Sequence, residues 1–178
     1  MKIDWKNTFK IAGILTAIAS GGALLISLTN VLTGPIIETN RIEREKKGLS
    51  KVYGEDATFG EKKELKDDKY GYLLAYYPVI KGEENCRIYS TSGTNAYGTV
   101  SLLIGINSDF SLYNLAVMEN TESYASVLNE NYLTPLIKAS DKEEAFEAAS
   151  VKCGATYGAK LVRDMVNQAK DHFKEGKQ

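Results

Sequence analysis

A long segment without any charged residue lies near the start of this chain. No Asp, Glu, Lys or Arg occurs between Lys10 and Glu38, and Ile, Leu, Ala and Gly dominate positions 11–32. About 20 apolar helical residues cross the hydrocarbon core of a bilayer, so this segment is long enough to span a membrane once. A secretory signal peptide is the alternative, because Lys2 and Lys6 also precede the run, but signal-peptide cores are shorter, about 7 to 15 residues. The sequence therefore predicts a retained transmembrane anchor.

The anchor carries small residues on one face. Gly13, Ala17 and Gly21 recur at four-residue spacing, which allows another transmembrane helix to approach closely. Gly and Ala are also common in transmembrane helices without any specific contact, so both interpretations stay open. Basic residues flank both ends of the uncharged run, and charge alone does not decide the orientation of the anchor.

Composition excludes several classes of function. The 178 residues carry 22 basic and 23 acidic side chains, a net charge of −1, which does not favour a nucleic-acid surface. Two cysteines and one histidine are too few for a four-ligand zinc site or a cysteine-ligated iron–sulfur cluster. We therefore expect neither nucleic acid nor a protein-held metal.

Strand patterns dominate the middle of the chain. Aromatic and aliphatic residues predict strands at 70–80, 86–91, 100–106 and 112–118, with turns at 81–85 and 107–109. The period of two is clearest where Val100, Leu102 and Ile104 alternate with Ser101 and Leu103. An α+β fold is therefore predicted, with an antiparallel sheet, flanking helices and an N-terminal transmembrane helix.

The remaining segments divide the chain into three parts. We expect an anchor with a short tail at 1–37, a mostly solvated juxtamembrane helix and linker at 38–69, and a globular domain at 70–178. Within the domain, a helix is predicted at 132–138, and Ser140 with Glu143 predicts a capping box for the next helix.

Cys86 and Cys153 could pair in an oxidising exterior, although sequence gives no distance between them. His172 is expected to be solvated near the end of the last helix.

The segment Ser150-Val151-Lys152-Cys153-Gly154-Ala155-Thr156-Tyr157 runs from a small-residue loop into that last helix. A helix start presents unpaired N–H groups and the positive end of the dipole, so a hydroxyl and a glycine at this position suit a phosphate. The alternative is that Gly154 only shapes the loop and Thr156 caps the helix.

Cys153-Gly154-Ala155-Thr156 resembles the Ser/Thr-Gly-Ala-Thr motif of the FMN-binding domain in the RnfG/NqrC family. These are membrane-anchored subunits of the Rnf ferredoxin:NAD oxidoreductase and of the sodium-translocating NADH:quinone oxidoreductase. The family's final threonine carries FMN through a phosphoester bond, and Thr156 stands at that position. Ser150 replaces the aspartate that usually begins the motif.

Two further stretches carry the resemblance. Ser92-Gly93-Thr94-Asn95-Ala96-Tyr97-Gly98 is similar to the family's Gly-Tyr-Gly-Gly bend, and the strand that follows is similar to one ending in Val/Ile-Gly-Ile-Asp. The loop of type Glu-Thr-Pro-Gly-Leu-Gly corresponds to Thr121-Glu122-Ser123-Tyr124-Ala125-Ser126, which keeps the glutamate and lacks the proline and both glycines.

The resemblance implies a single-pass subunit in the cell membrane, closest to the RnfG type, with its domain on the extracytoplasmic side. It implies covalent FMN, a flavin transferase for maturation, contact with lipid, and other membrane subunits of an Rnf-type complex as partners. The redox enzyme would then be the whole complex. The expected FMN-binding residues are Thr156, Cys153, Gly154, Ala155, Tyr157, Glu122, Ser123 and Tyr97.

Two other functions stay open at this point. A flavin-free structural or assembly protein of the same kind of complex would explain Ser150, Cys153 and the missing Pro-Gly-Leu-Gly. A stand-alone extracellular flavoprotein electron carrier would keep the flavin without the complex.

Overall fold

The computed structural model describes residues 5–54, 57–65, 68–81 and 84–176. The α-helices are α1 Trp5–Tyr53, α2 Ala125–Leu128, α3 Thr134–Lys138, α4 Lys142–Ala148 and α5 Thr156–Glu175. The strands are β1 Thr58–Phe59, β2 Lys63–Glu64, β3 Leu73–Lys81, β4 Glu84–Asn95, β5 Gly98–Ile106 and β6 Leu112–Asn120. A 3₁₀ turn, Asp68–Tyr70, precedes β3, and a π-helix, Asn129–Leu133, joins α2 to α3.

The chain divides into two compact units, Met1–Glu43 and Arg44–Gln178. The described part of the first unit is helical. Among the described residues, one helical segment, Trp5–Ile36, is long and apolar enough to cross a membrane, and its most apolar window is fully exposed. The exposed apolar side chains of this segment and the absence of charge between Lys10 and Glu38 fit the predicted anchor.

The second unit is built on an antiparallel sheet. Its strand order is β1-β3-β4-β5-β6, with β2 also paired to β3. Each long strand follows its neighbour in sequence, so β3 to β6 form a meander. The predicted α+β class, with an apolar N-terminal helix, an antiparallel sheet and flanking helices, is confirmed.

One face of the sheet holds the main core. Val100, Leu102 and Ile104 of β5 face this side, as their alternation predicts, and none is more than marginally exposed. Helix α5 packs here with Val162, whose side chain is fully buried. The other α5 residues in this core are Ala159, Leu161, Met165, Val166, Ala169 and Phe173.

The opposite face of the sheet is covered by the last turns of α1. Leu49, Val52 and Tyr53 are buried there, so the expectation of a mostly solvated helix is wrong for these turns. Gly105 of β5 makes the close approach possible, because a methyl group at that position would lie 2.5 Å from Val52 Cγ1. Tyr53 also donates a hydrogen bond from its hydroxyl to the Ile106 carbonyl, at 3.0 Å.

Helix α4 begins differently from the prediction. Asp141, and not Ser140, is the N-cap residue, and its Oδ1 accepts the Glu144 N–H at 2.9 Å. Glu143 therefore takes no part in a capping box. Its carboxylate instead accepts the backbone N–H of Leu112 at 2.7 Å and pairs with Lys170.

The single histidine is also placed differently. His172 is half-buried, its Nδ1 lies 2.9 Å from the Tyr89 hydroxyl, and the rings of Tyr70 and Tyr76 lie within 6 Å of its own. The solvated position expected from sequence is therefore wrong. Both cysteines are free thiols, Cys86 buried and Cys153 half-buried, and the disulfide does not form in this structure.

Candidate functional site

Thr156 is the first residue of α5 and is exposed. Gly154 precedes it in the left-handed region, with φ of +91°, which glycine adopts without strain. Ala155 is the N-cap residue, so no side chain caps the helix. Thr156 is therefore not the cap that its residue type suggests. A long helix thus begins at this threonine with its positive end open to the solvent.

The tip of the β4–β5 hairpin supplies the next residue. Tyr97 lies in the two-residue turn between Asn95 and Gly98, and its N–H donates to Asn95 Oδ1 at 2.8 Å. Gly98 has φ of +145°, and a methyl group there would lie 2.5 Å from the Thr121 carbonyl oxygen. Only glycine lets the hairpin tip lie against the loop after β6.

That loop carries a buried carboxyl group. Glu122 is 6% exposed, and Oε1 accepts a hydrogen bond from Asn95 Nδ2. The other carboxylate oxygen lies against α5, because a methyl group at Gly158 would come within 2.2 Å of Oε2. Ser123 continues the contact by donating its N–H to the Tyr97 carbonyl at 2.9 Å. Asn95 and Glu122 thus join the hairpin tip, the loop and the start of α5.

These three segments enclose a cleft of about 200 Å³. Its lining residues are Tyr97, Glu122, Tyr124, Gly154, Ala155, Thr156, Tyr157 and Gly158. The Tyr97 ring lies near both other tyrosine rings, with centroid distances of 5.5 Å to Tyr124 and 5.4 Å to Tyr157. The three rings are 39%, 48% and 62% exposed, respectively. Exposed aromatic rings in the same cleft as an exposed threonine form a surface suited to a planar ligand.

Six of the eight residues predicted for the site line this cleft. The other two, Cys153 and Ser123, do not. Cys153 is half-buried in the loop, where its carbonyl accepts a hydrogen bond from Asn131 Nδ2 at 3.0 Å. Ser123 is exposed, and its hydroxyl donates a hydrogen bond to the Tyr97 carbonyl at the hairpin tip.

Sequence reasoning missed three residues of the site. Tyr124 and Gly158 line the cleft, and Asn95 holds Glu122 and the Tyr97 backbone together. Tyr124 stands where the resembled loop has proline, so the departure from the motif was the available signal. The Tyr124 carbonyl accepts the Leu128 N–H at 2.9 Å, and α2 begins directly after Tyr124. A helical turn therefore stands where the resembled loop has its glycines.

Nearby polar groups stabilise the loop and the helix. Ser150 Oγ accepts the Lys152 N–H at 3.2 Å, a local turn that an aspartate would also form. Lys160 and Asp164 form an exposed ion pair at 2.7 Å, and the hydrogen bond to Asp164 raises the pKa of Lys160. Burial raises the pKa of Tyr132, which lies in the π-helix. Its neighbour in that helix, Asn131, donates the hydrogen bond to the Cys153 carbonyl of the loop.

The helix start and the aromatic rings give the cleft the chemistry of a binding site. Within the described part of the chain no group of three or more His, Cys, Asp and Glu side chains could hold a metal ion. An open helix start attracts an anion, and the aromatic rings offer an apolar surface beside it. A ligand with a phosphate and a planar ring system matches both features.

No profile of a known protein family matches this chain. The chain is 26% identical, over 193 aligned positions, to a curated protein of Acetobacterium woodii that is named as the G subunit of a Na(+)-translocating ferredoxin:NAD(+) oxidoreductase complex. The alignment covers 95% of this chain and 93% of that protein. Similarity over nearly the whole of both chains supports the resemblance to RnfG that the sequence motifs indicate.

Proposed function

We propose that this protein is a membrane-anchored electron-transfer subunit of an Rnf-type ion-translocating oxidoreductase complex, with FMN joined to Thr156 through a phosphoester. The observation that carries the proposal is the position of the Thr156 hydroxyl. It lies at an uncapped helix start, in a cleft walled by three exposed tyrosines. The similarity to a protein named as part of a Na(+)-translocating ferredoxin:NAD(+) oxidoreductase complex supports it independently.

The residues present fit a phosphate at Thr156. The first turn of α5 contains no acidic residue of its own, although the Glu122 carboxylate contacts this turn at Gly158. Gly154 shapes the loop before Thr156, because its φ of +91° lies in the left-handed region that glycine adopts without strain. Ser150 keeps a local turn despite replacing the usual aspartate. The departures from the motif are therefore compatible with an attachment loop.

The roles of the protein groups follow from this arrangement. The flavin would supply the redox chemistry, and the protein would hold it in place. Thr156 would tether the phosphate, while Tyr97, Tyr124 and Tyr157 would contact the ring and shield it from water. Asn95 and Glu122 would hold the hairpin tip and the loop in register. A covalent tether keeps the cofactor bound without relying on affinity.

The rest of the proposal concerns the membrane. Residues 1–37 would form the anchor in contact with lipid, and 70–178 the flavin-binding domain on the extracytoplasmic side. Residues 38–69 would join the two, and this segment also adds β1, β2 and the buried end of α1 to the domain. The apolar segment Trp5–Ile36 supports the anchor. Other membrane subunits of the complex would be the partners, and a flavin transferase would load the domain.

In-gel flavin fluorescence tests the proposal. Membranes from a strain with an active flavin transferase should give a fluorescent band at the mass of this protein. Thr156→Ala should remove the fluorescence, while Lys152→Ala, which alters an exposed residue of the same loop, should retain it. A wild-type band without fluorescence would favour the flavin-free structural role. A fluorescent band that purifies without polytopic partners would favour the stand-alone carrier.

A further inference from the structure

A buried carboxyl group forms part of the cleft wall. Glu122 is 6% exposed and lines the cleft beside Thr156 and the three tyrosines. Its hydrogen-bond donor is the neutral amide of Asn95. Among the described residues, none forms a salt bridge with Glu122. A carboxyl group therefore lines the cleft, and among the described residues no cation is paired with it.

We propose that Glu122 sets the reduction potential of the flavin in this cleft, holding it below the value that a neutral side chain would give. The inference rests on the proposed function, because it requires the flavin at Thr156. It assigns Glu122 an electrostatic role that goes beyond packing the loop against α5.

The physical reason is the repulsion between like charges. If the ring takes up two electrons from the chemical reductant of a titration and one proton from water, it would gain one negative charge. A carboxylate in the wall of the cleft raises the free energy of that reduced ring and leaves the oxidised, uncharged ring almost unaffected. The effect is larger in a partly desolvated cleft than in water, since the effective dielectric constant is lower. Salt screens such buried charges only weakly.

The start of α5 acts in the opposite direction. The positive end of its dipole carries about half an elementary charge, and the phosphate on Thr156 would offset it. Glu122 Oε2 itself lies against the first turn at Gly158. The full charge of the carboxylate therefore outweighs the remaining partial charge of the helix, and the net effect favours the oxidised ring.

A redox titration of the full-length, flavin-loaded protein in detergent tests this inference. Glu122→Gln should favour the reduced flavin about tenfold, which raises the midpoint potential of a two-electron couple by about 30 mV. Glu122→Asp keeps the charge and should stay near the wild-type potential. Glu119→Gln, which removes an exposed carboxyl group from β6, is the matched control and should leave the potential unchanged.

Each outcome has one meaning. The titration reports only molecules that carry flavin, so incomplete loading of a variant does not hide the shift, and Glu122→Met provides a second charge-free side chain. An unchanged potential in both charge-free variants would overturn this inference and leave the proposed function standing. An equal rise in Glu122→Asp would also overturn it, since packing and not charge would then control the potential. A wild-type protein without flavin would overturn the proposed function, and this inference with it.

Discussion

Glu122 and Gly158 are in direct contact, so that a methyl group on Gly158 would lie 2.2 Å from Glu122 Oε2. Glycine at this position lets the first turn of α5 lie against the loop that follows β6. The same loop is joined to the hairpin tip through Asn95. The width of the cleft beside Thr156 therefore depends on the absence of a side chain at Gly158.

Gly158→Ala should destabilise the domain by about 1 to 3 kcal/mol, because the added methyl group overpacks a closed contact. Thermal unfolding of the full-length protein in detergent measures the change. The cost should be smaller in a Glu122→Ala background, where one of the two clashing groups is gone. Leu128 Cδ2, at 2.7 Å from the added methyl group, would keep the recovery partial. Equal costs in both backgrounds would contradict the contact.

Tyr89 should make the domain sensitive to alkaline pH. Burial raises the pKa of Tyr89 to about 12, whereas an unfolded tyrosine titrates near 10. Between these values the unfolded chain releases a proton that the folded domain retains, so stability falls as pH rises through this range. The loss by pH 12 should reach about 2 to 3 kcal/mol.

Tyr89→Phe provides the control for this pH dependence. It removes the ionisable group and keeps the buried ring, although it also removes the hydrogen bond to His172 Nδ1. Its stability between pH 10 and 12 should therefore fall less steeply than that of the wild type. Identical slopes would show that Tyr89 does not titrate with the assigned pKa.

Much of the sheet could be predicted because its pattern is local. The strand at 100–106 alternates in sequence and the one at 112–118 is rich in aliphatic residues, and the structure places β5 and β6 over nearly the same residues. The buried end of α1 could not be predicted in this way. Leu49, Val52 and Tyr53 lie among charged residues, and the sheet face that buries them is distant in sequence.

The candidate site divides in the same way. The loop before α5 could be recognised as a candidate site from consecutive residues of one motif, and Tyr97 from the bend that contains it. For Tyr124 the one available signal was that it replaces the motif's proline, and its contact with Tyr97 depends on how the hairpin tip meets the loop after β6. The hydrogen bond from Asn95 to Glu122 spans 27 residues and has no local signature.

Tyr124 should shield the flavin from solvent. Tyr124→Ala removes one aromatic wall, so iodide should quench the fluorescence of the attached flavin more strongly than in the wild type. Tyr124→Phe keeps the ring, so iodide should quench its flavin fluorescence to the same extent as in the wild type. Equal quenching in the alanine and wild-type proteins would place the flavin ring away from this wall.

The domain should lie outside the cytoplasm. Protease added to intact spheroplasts should digest the residues beyond Thr33 and leave a cytoplasmic marker protein intact. The expectation follows from the single apolar segment of the described residues together with the proposed role in an Rnf-type complex. Protection of the domain until lysis would reverse the topology.

Covalent FMN on Thr156 is tested most directly by the intact mass of the full-length protein from a strain with an active flavin transferase. The proposal predicts that the wild-type mass exceeds the sequence mass by one attached FMN, and that fragmentation places the increment on Thr156. Thr156→Ala should show the unmodified mass and should fold like the wild type, because Thr156 makes no capping hydrogen bond. A wild-type protein at the unmodified mass, with the transferase shown to be active on another substrate, would contradict covalent attachment.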